Sequence, residues 1–191
     1  MVERAYASAF DEVTAPERST MVYSFPAKGK RKALQVIWQD GIKNAPAQTD
    51  FMRPPGLPDD LNLDAAGGCG QAFVGTEGVI YLNDPYGSGA PQLFRKGKAV
   101  TPELVAPVYA RVKGGPTQEL CRAIRGEGPR PISNFEDHAG PLTEMVLAGN
   151  LALRLGQKID WDAAKLEARG MPEVQKFIRR AYRAGWEPKI S

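Results

Sequence analysis

One stretch restricts the possible folds of this chain more than any other: residues 133–156, SNFEDHAGPLTEMVLAGNLALRLG. Wound as an α-helix at about 100° per residue, residues 141–155 place Thr143, Asn150 and Arg154 on one narrow stripe interrupted only by Leu147. Leu142, Met145, Val146, Ala148, Leu151, Ala152, Leu153 and Leu155 cover most of the remaining circumference. A helix apolar on so many sides is expected to be buried against more than one layer, a sheet beneath it and further protein above. It is too short, and too interrupted by polar groups, to span a membrane. SNFE has the S-x-x-E form of a capping box, Gly140 and Pro141 predict a kink or a restart with Pro141 at the first position, and Gly156 is the natural stop.

Upstream of this helix the pattern is that of strands. Residues 2–10 alternate with Val2, Tyr6 and Phe10 on one face, and a turn is expected across residues 11–18, which contain Pro16. Met21, Tyr23 and Phe25 then alternate with Thr20, Val22 and Ser24, and Leu34, Val36 and Trp38 alternate with Gln35 and Gln39 up to Asp40 and Gly41. Three such segments, separated by turns, predict an antiparallel meander. Residues 42–70 are rich in Pro, Asp, Asn and Gly and fit no regular element; so long a loop is usually functional or mobile. QAFV, the turn GTEG and VIYL read as a hairpin with Gly75 and Gly78 available for positive φ, and a short strand is expected at residues 92–94.

The second half is helical. Behind Pro116 a helix is expected to bury Leu120, Cys121 and Ile124 and to stop at Gly126. IDWD reads as a short extended segment that AAKLEA continues. A last helix begins at Pro172, carries a stripe of Val174, Phe177, Ile178, Ala181 and Tyr182, and ends at Gly185, with Trp186 packing back. Strands first and helices second, with no βαβ alternation, predict an α+β fold: an open, mainly antiparallel sheet with helices packed on one face. With 191 residues there is room for one good hydrophobic core, so residues 1–191 are read as a single domain, strands and loops over 1–100 and helices over 115–191.

The totals exclude more than they identify. Apolar residues make up 42% and charged residues 25%, which is ordinary for a globular protein and rules against disorder. A net charge of +3, with basic residues scattered and no interleaved stacking aromatics, argues against nucleic-acid binding. Cys69 and Cys121 are expected to stay unpaired. The opening residues show no signal-peptide pattern, so the chain as it stands is expected to be cytoplasmic.

Chemistry-bearing residues are few. Placing the first glycine of a dinucleotide fingerprint at Gly68 would require glycine at 73, where Phe73 stands, and no βαβ context surrounds it. One histidine and two distant cysteines make a structural zinc site unexpected, and no metal ligands are assigned. His138, near Glu136 and Asp137, reads either as a substrate contact or proton carrier or, more simply, as an exposed histidine beside carboxylates. Glu144 reads as a buried carboxylate bonded to backbone or Arg in preference to a general base. Trp38 with Asp40 at a strand end suits a sugar-like ligand, an aromatic plate beside a carboxylate, although a strand tryptophan is more often core.

Residues 133–186, SNFEDHAGPLTEMVLAGNLALRLGQKIDWDAAKLEARGMPEVQKFIRRAYRAGW, closely resemble the carboxyl-terminal end of the bacterial branch of the Gfo/Idh/MocA oxidoreductases, named for glucose-fructose oxidoreductase and inositol dehydrogenase. PERSTMVYSFPAKGKRKALQVIWQDG and AFVGTEGVIYL are similar to that family's sheet segments in the same order. The resemblance implies a carboxyl-terminal domain of the dihydrodipicolinate-reductase-like or glyceraldehyde-3-phosphate-dehydrogenase-like type. It further implies a parent that binds NAD or NADP in an amino-terminal Rossmann domain and oxidises a sugar or polyol. This domain would then line the substrate site and form a homo-oligomer through its sheet face.

The family's Rossmann glycines, the Glu-Lys-Pro segment with its catalytic lysine and the DxxxH motif have no counterpart here, and His138 stands in no such motif. The expectation is therefore a substrate-binding and oligomerisation domain, inactive alone, holding no cofactor and no catalytic residue of its own. Trp38, Asp40, Asn134 and His138 are its substrate-lining candidates. Its expected partners are the missing Rossmann domain, a second copy and a sugar-like molecule, with neither nucleic acid nor membrane. Part of residues 142–155 would then be exposed, or covered by a neighbouring chain, as the face left by the lost partner. The alternatives are a standalone binding or assembly module with no redox role and a small hydrolase using Asp40, Glu144 or His138.

Overall fold

The structure is a computed structural model that describes residues 1–7, 9–11, 13–41, 52–63, 70–84, 86, 89–103, 105–108, 112–179 and 181–187, apart from the Tyr6 side chain. In chain order its elements are β1 (Val2–Ala7), β2 (Arg18–Phe25), β3 (Leu34–Gly41), β4 (Gln71–Val74), β5 (Val79–Leu82), β6 (Gln92–Arg95), β7 (Lys98–Val100), α1 (Gly115–Ile124), α2 (Gly140–Leu155), β8 (Trp161–Asp162), β9 (Glu167–Ala168) and α3 (Gln175–Ile178). The class is α+β, as the order of patterns implies. The strands pair antiparallel in sheets ordered β1-β2-β3, β4-β5-β6-β7 and β8-β9. The chain divides into two compact units, one of Met1–Gly41 with Val112–Ser191 and one of Ile42–Arg111.

In the first unit the expected meander is present. Period-two alternation puts Met21 and Tyr23 on the side of β2 that faces α2, opposite Trp38 and Val36 on β3. A bulge between Val2 and Arg4 shifts the register of β1, so Val2 shares that face with Ala5. The strand stops at Ala7, short of Phe10, and the Asp11 carboxylate closes the following turn by accepting from the backbone N–H groups of Val13 and Thr14 at 2.9 and 2.7 Å. The core gathers Val2, Met21 and Tyr23 with Ala148, Leu151 and Ala152 of α2 and with Ile159, Ala168 and Val174.

α2 is buried on one side only, through Ala148, Gly149, Leu151 and Ala152. The expectation of several covering layers is corrected: Leu142 is 50% and Leu147 58% exposed. The small residues explain the close approach. A Cβ on Gly149 would overlap Tyr23 Oη and lie 2.5 Å from Met21 Sδ, so only glycine lets the helix settle on the sheet there. Gly156 ends α2 at φ 62° as anticipated, and Pro141 sits in its first turn.

Several local expectations give way. The S-x-x-E capping box does not form; Asn134 is the cap, its Oδ1 accepting from the Asp137 N–H at 2.7 Å, and it opens a π-helical turn, Phe135–Ala139. The Gly140 N–H donates to the Phe135 carbonyl, so the restart at Pro141 is joined to that turn instead of being free. α1 forms behind Pro116 but buries no residue, and Ile124 is 75% exposed. The last helix is a short 3-10 turn, Pro172–Val174, followed by α3, which stops at Ile178; Arg179 is extended, and Tyr182 and Trp186 are exposed. Residues 163–166 do not continue IDWD; they turn it into the β8–β9 hairpin. Ile159, just before it, exchanges two backbone hydrogen bonds with Val2, tying the chain after α2 to the sheet.

In the second unit the β4–β5 hairpin stands where expected, and β6 extends the anticipated strand by one residue. Gly75 and Gly78 are not at positive φ. Gly78 is required for another reason: a Cβ there would run into the Phe94 carbonyl oxygen of β6. β7 is an addition, joined to β6 through Lys96 and Gly97 at φ 49° and 71°. Leu57, Val79, Tyr81 and Phe94 form this unit's own core. The disulfide question lies outside the described residues at Cys69; Cys121 is a free thiol.

Candidate functional site

The first site is built on the edge strand β3, where the face shared with α2 emerges from under the helix. Trp38 is paired with Met21 across the sheet yet is 47% exposed, which corrects the expectation that it is core. Its Nε1 donates to Asp40 Oδ2 at 2.9 Å, and Ser19 Oγ donates to Asp40 Oδ1 at 2.7 Å. Residues two apart on a strand share a face, so the tryptophan and the carboxylate are fixed neighbours. Both indole plane and carboxylate are held in one orientation before any ligand arrives, which lowers the entropy cost of binding. The result is an apolar plate flanked by a strong acceptor.

Tyr23 sits behind this pair. Burial, with the Asp40 carboxylate adding to it, pushes its phenol up to about 12, and its Oη donates to the Met21 thioether at 3.3 Å. Because the fold holds the phenolic proton more tightly than the unfolded chain does, this contribution is complete below the ordinary tyrosine value of 10.0 and is lost as pH rises to about 12. Denaturant melts between pH 9 and about 12 are expected to show that loss, and Tyr23→Phe is expected to flatten it. Equal slopes for the two proteins would assign the alkaline transition to other groups.

Asn134 and His138 belong to a different place, the π-helical turn that opens α2. Arg130 organises it, donating to Asn134 Oδ1 at 3.0 Å and to Glu136 at 2.6 Å and pairing with Asp137 at 3.0 Å. The carboxylates beside the exposed His138 are thus engaged by the guanidinium, and Asn134 acts as a helix cap. Of the four candidates, then, the structure joins Trp38 to Asp40 by a hydrogen bond and gives Asn134 a structural task.

A second concavity was not foreseen. The outer side of α2 walls a groove of about 850 Å³ whose other boundaries are Trp161 and Leu166 of the β8–β9 hairpin and Phe177 and Ile178 of α3. Thr143, Leu147, Asn150 and Arg154, the narrow stripe of the helix, all line it. Glu144 also lines it, half-buried, and accepts from Trp161 Nε1 at 2.5 Å, so its partner is an indole and neither backbone nor arginine. The hairpin is kept rigid by Asp162, which accepts from Ala164 and Lys165 N–H and, through its other oxygen, from Arg169 Nε and Nη2 at 3.2 and 3.1 Å. Partial burial works against the Asp162 charge, but these bonds outweigh it and hold the carboxyl below the usual carboxylate range. Sequence shows the stripe but not the opposite wall, since Trp161 lies seventeen residues from Glu144.

Among the described residues no three His, Cys, Asp or Glu side chains are placed to hold a metal, and no helix is long and apolar enough to cross a membrane. Every described strand pair is antiparallel.

Fold and sites together define an α+β protein with a pre-organised aromatic–carboxylate pair on its sheet and an apolar groove on its principal helix. No protein-family model, curated protein or solved structure matches the chain.

Proposed function

We propose that this chain is the substrate-binding and oligomerisation part of an NAD(P)-dependent sugar or polyol dehydrogenase of the Gfo/Idh/MocA type, inactive until a nucleotide-binding domain joins it. The observation that carries the reading is the Trp38–Asp40 pair. A half-exposed indole accepts the C–H face of a sugar or polyol, and the carboxylate beside it accepts hydroxyl protons. The resemblance of residues 133–186 supplies the redox context, and the exposed Leu142, which lies outside the groove, suits a chain that pairs with a further domain. On the face away from α2, Ile37 is 40% exposed on β3, the last strand in the order β1-β2-β3, which suits assembly with a second copy.

The test is a titration of the isotopically labelled chain with myo-inositol and with glucose, followed at the indole N–H resonance of Trp38. A saturable millimolar shift is expected with at least one of them, lost in Asp40→Ala. No movement of that resonance with either would overturn the assignment of the pair. Titrated in parallel, NADH and NADPH are expected to show no saturable micromolar binding, and such binding would place a cofactor site in the chain and overturn the division of labour. Light scattering of the same sample is expected to give a dimer or larger species, and a strict monomer at high concentration would remove the assembly role.

A further inference from the structure

We propose that the groove along α2 binds a small organic cation, an ammonium group carrying an apolar body, with Glu144 as its counter-ion. Nothing in the polyol reading requires this, and the two stand or fall separately. The volume, about 850 Å³, is that of a small-molecule site. A protein partner would need a larger and flatter surface.

The chemistry of the lining selects the charge. Phe135, Trp161 and Phe177 line the same groove as the Glu144 carboxylate. Trp161 Nε1 occupies Oε1 of that carboxylate and fixes its direction, leaving the charge half-buried among apolar walls where its field is weakly screened. A groove that holds both a carboxylate and aromatic rings favours a cation twice over, through Coulomb attraction and through the ring quadrupoles. One ring already holds a cation: Lys176 Nζ lies 5.0 Å from the centre of Phe177, on an exposed and displaceable side chain.

The basic residue of the groove, Arg154, does not cancel Glu144. Ten residues apart on α2, they are separated by about 15 Å along the axis at 1.5 Å per residue, and the guanidinium interacts electrostatically with Asp11. Leu147, Ala148 and Leu151 lie between them and supply the apolar floor for the body of the ligand.

Three probes with one body and three charges test this: 4-phenylbutylammonium, 4-phenylbutanol and 4-phenylbutanoate, each titrated calorimetrically at pH 7 and followed at the Trp161 indole N–H. The ammonium is expected to bind at least tenfold more tightly than the alcohol, with the carboxylate weakest. Glu144→Gln is expected to abolish the preference for the ammonium over the alcohol. Leu147→Arg, at an exposed position that leaves the core intact, is expected to weaken ammonium binding at least tenfold with an unchanged circular dichroism spectrum. Arg154→Ala is expected to leave it within twofold. Equal binding of the three probes, preference for the anion, or no binding would each overturn the proposal, and the Leu147→Arg variant keeps it testable should Glu144→Gln fold poorly.

Discussion

Ile159→Ala is expected to cost about 3–4 kcal/mol and to lower the urea midpoint of the first unit accordingly, while Ile159→Val costs about 1 kcal/mol. Ile159 is fully buried and belongs to the cluster formed by Val2, Met21, Tyr23, Leu151 and Val174. Its backbone also pairs with Val2, the N–H and carbonyl bonds measuring 3.1 and 2.8 Å, so the walls of the resulting cavity are held by the sheet and cannot readily close. A void with fixed walls adds its own cost to the lost transfer free energy of the deleted carbons. The same substitution at Ile124, an isoleucine that is 75% exposed, is expected to change stability by no more than about 0.5 kcal/mol. Similar losses at the two positions would mean that Ile159 does not close this core.

Gly149→Ala carries the second large effect, in a direction opposite to helix propensity. Alanine in a helix interior is favoured over glycine by about 1 kcal/mol, but the added methyl overlaps Tyr23 Oη and presses on Met21 Sδ. Overpacking of this kind costs up to about 3 kcal/mol, which leaves a net loss of about 2 kcal/mol, or about 4–8 °C in thermal midpoint. Met21 has a flexible side chain and can give way; the phenol cannot. Tyr23→Phe removes the obstructing oxygen, whose hydrogen bond among the described residues is to a thioether, a weak acceptor. Alone it is expected to be nearly neutral below pH 9, and in the Gly149→Ala background it is expected to restore part of the loss, the ring Cζ remaining 2.9 Å from the methyl position. Strict additivity of the two changes would show that the hydroxyl is not what excludes the methyl.

How legible these features were depends on the range over which each is specified. The strands β2, β3, β4 and β5 were readable because alternation and the turn residues between them are local properties, and local pairing suffices to form a meander or hairpin. Trp38 and Asp40 were readable as neighbours for the same reason: their spacing on a strand puts them on one face. That Trp38 is exposed was not, because its burial depends on how far α2 extends across the sheet. α3 shows the converse. Its stripe of Val174, Phe177, Ile178, Ala181 and Tyr182 has helical period, but the helix stops at Ile178 and Tyr182 is exposed. Short helices depend on packing more than on propensity.

Local sequence sufficed for the α+β class, the antiparallel meander, the position and carboxyl end of α2 and the placing of Trp38 and Asp40 as neighbours, since each follows from periodicity, glycine and proline punctuation or spacing within a few residues. Tertiary structure decided which side of α2 is buried, why Gly149 must be glycine, that Glu144 is bonded to Trp161, and that a groove lies along the stripe of Thr143, Asn150 and Arg154. Those outcomes depend on chain segments brought together from afar. An apolar circumference states only that a helix can be buried on many sides; which side meets the sheet is selected by the close approach of backbone to Tyr23 that a single missing Cβ allows.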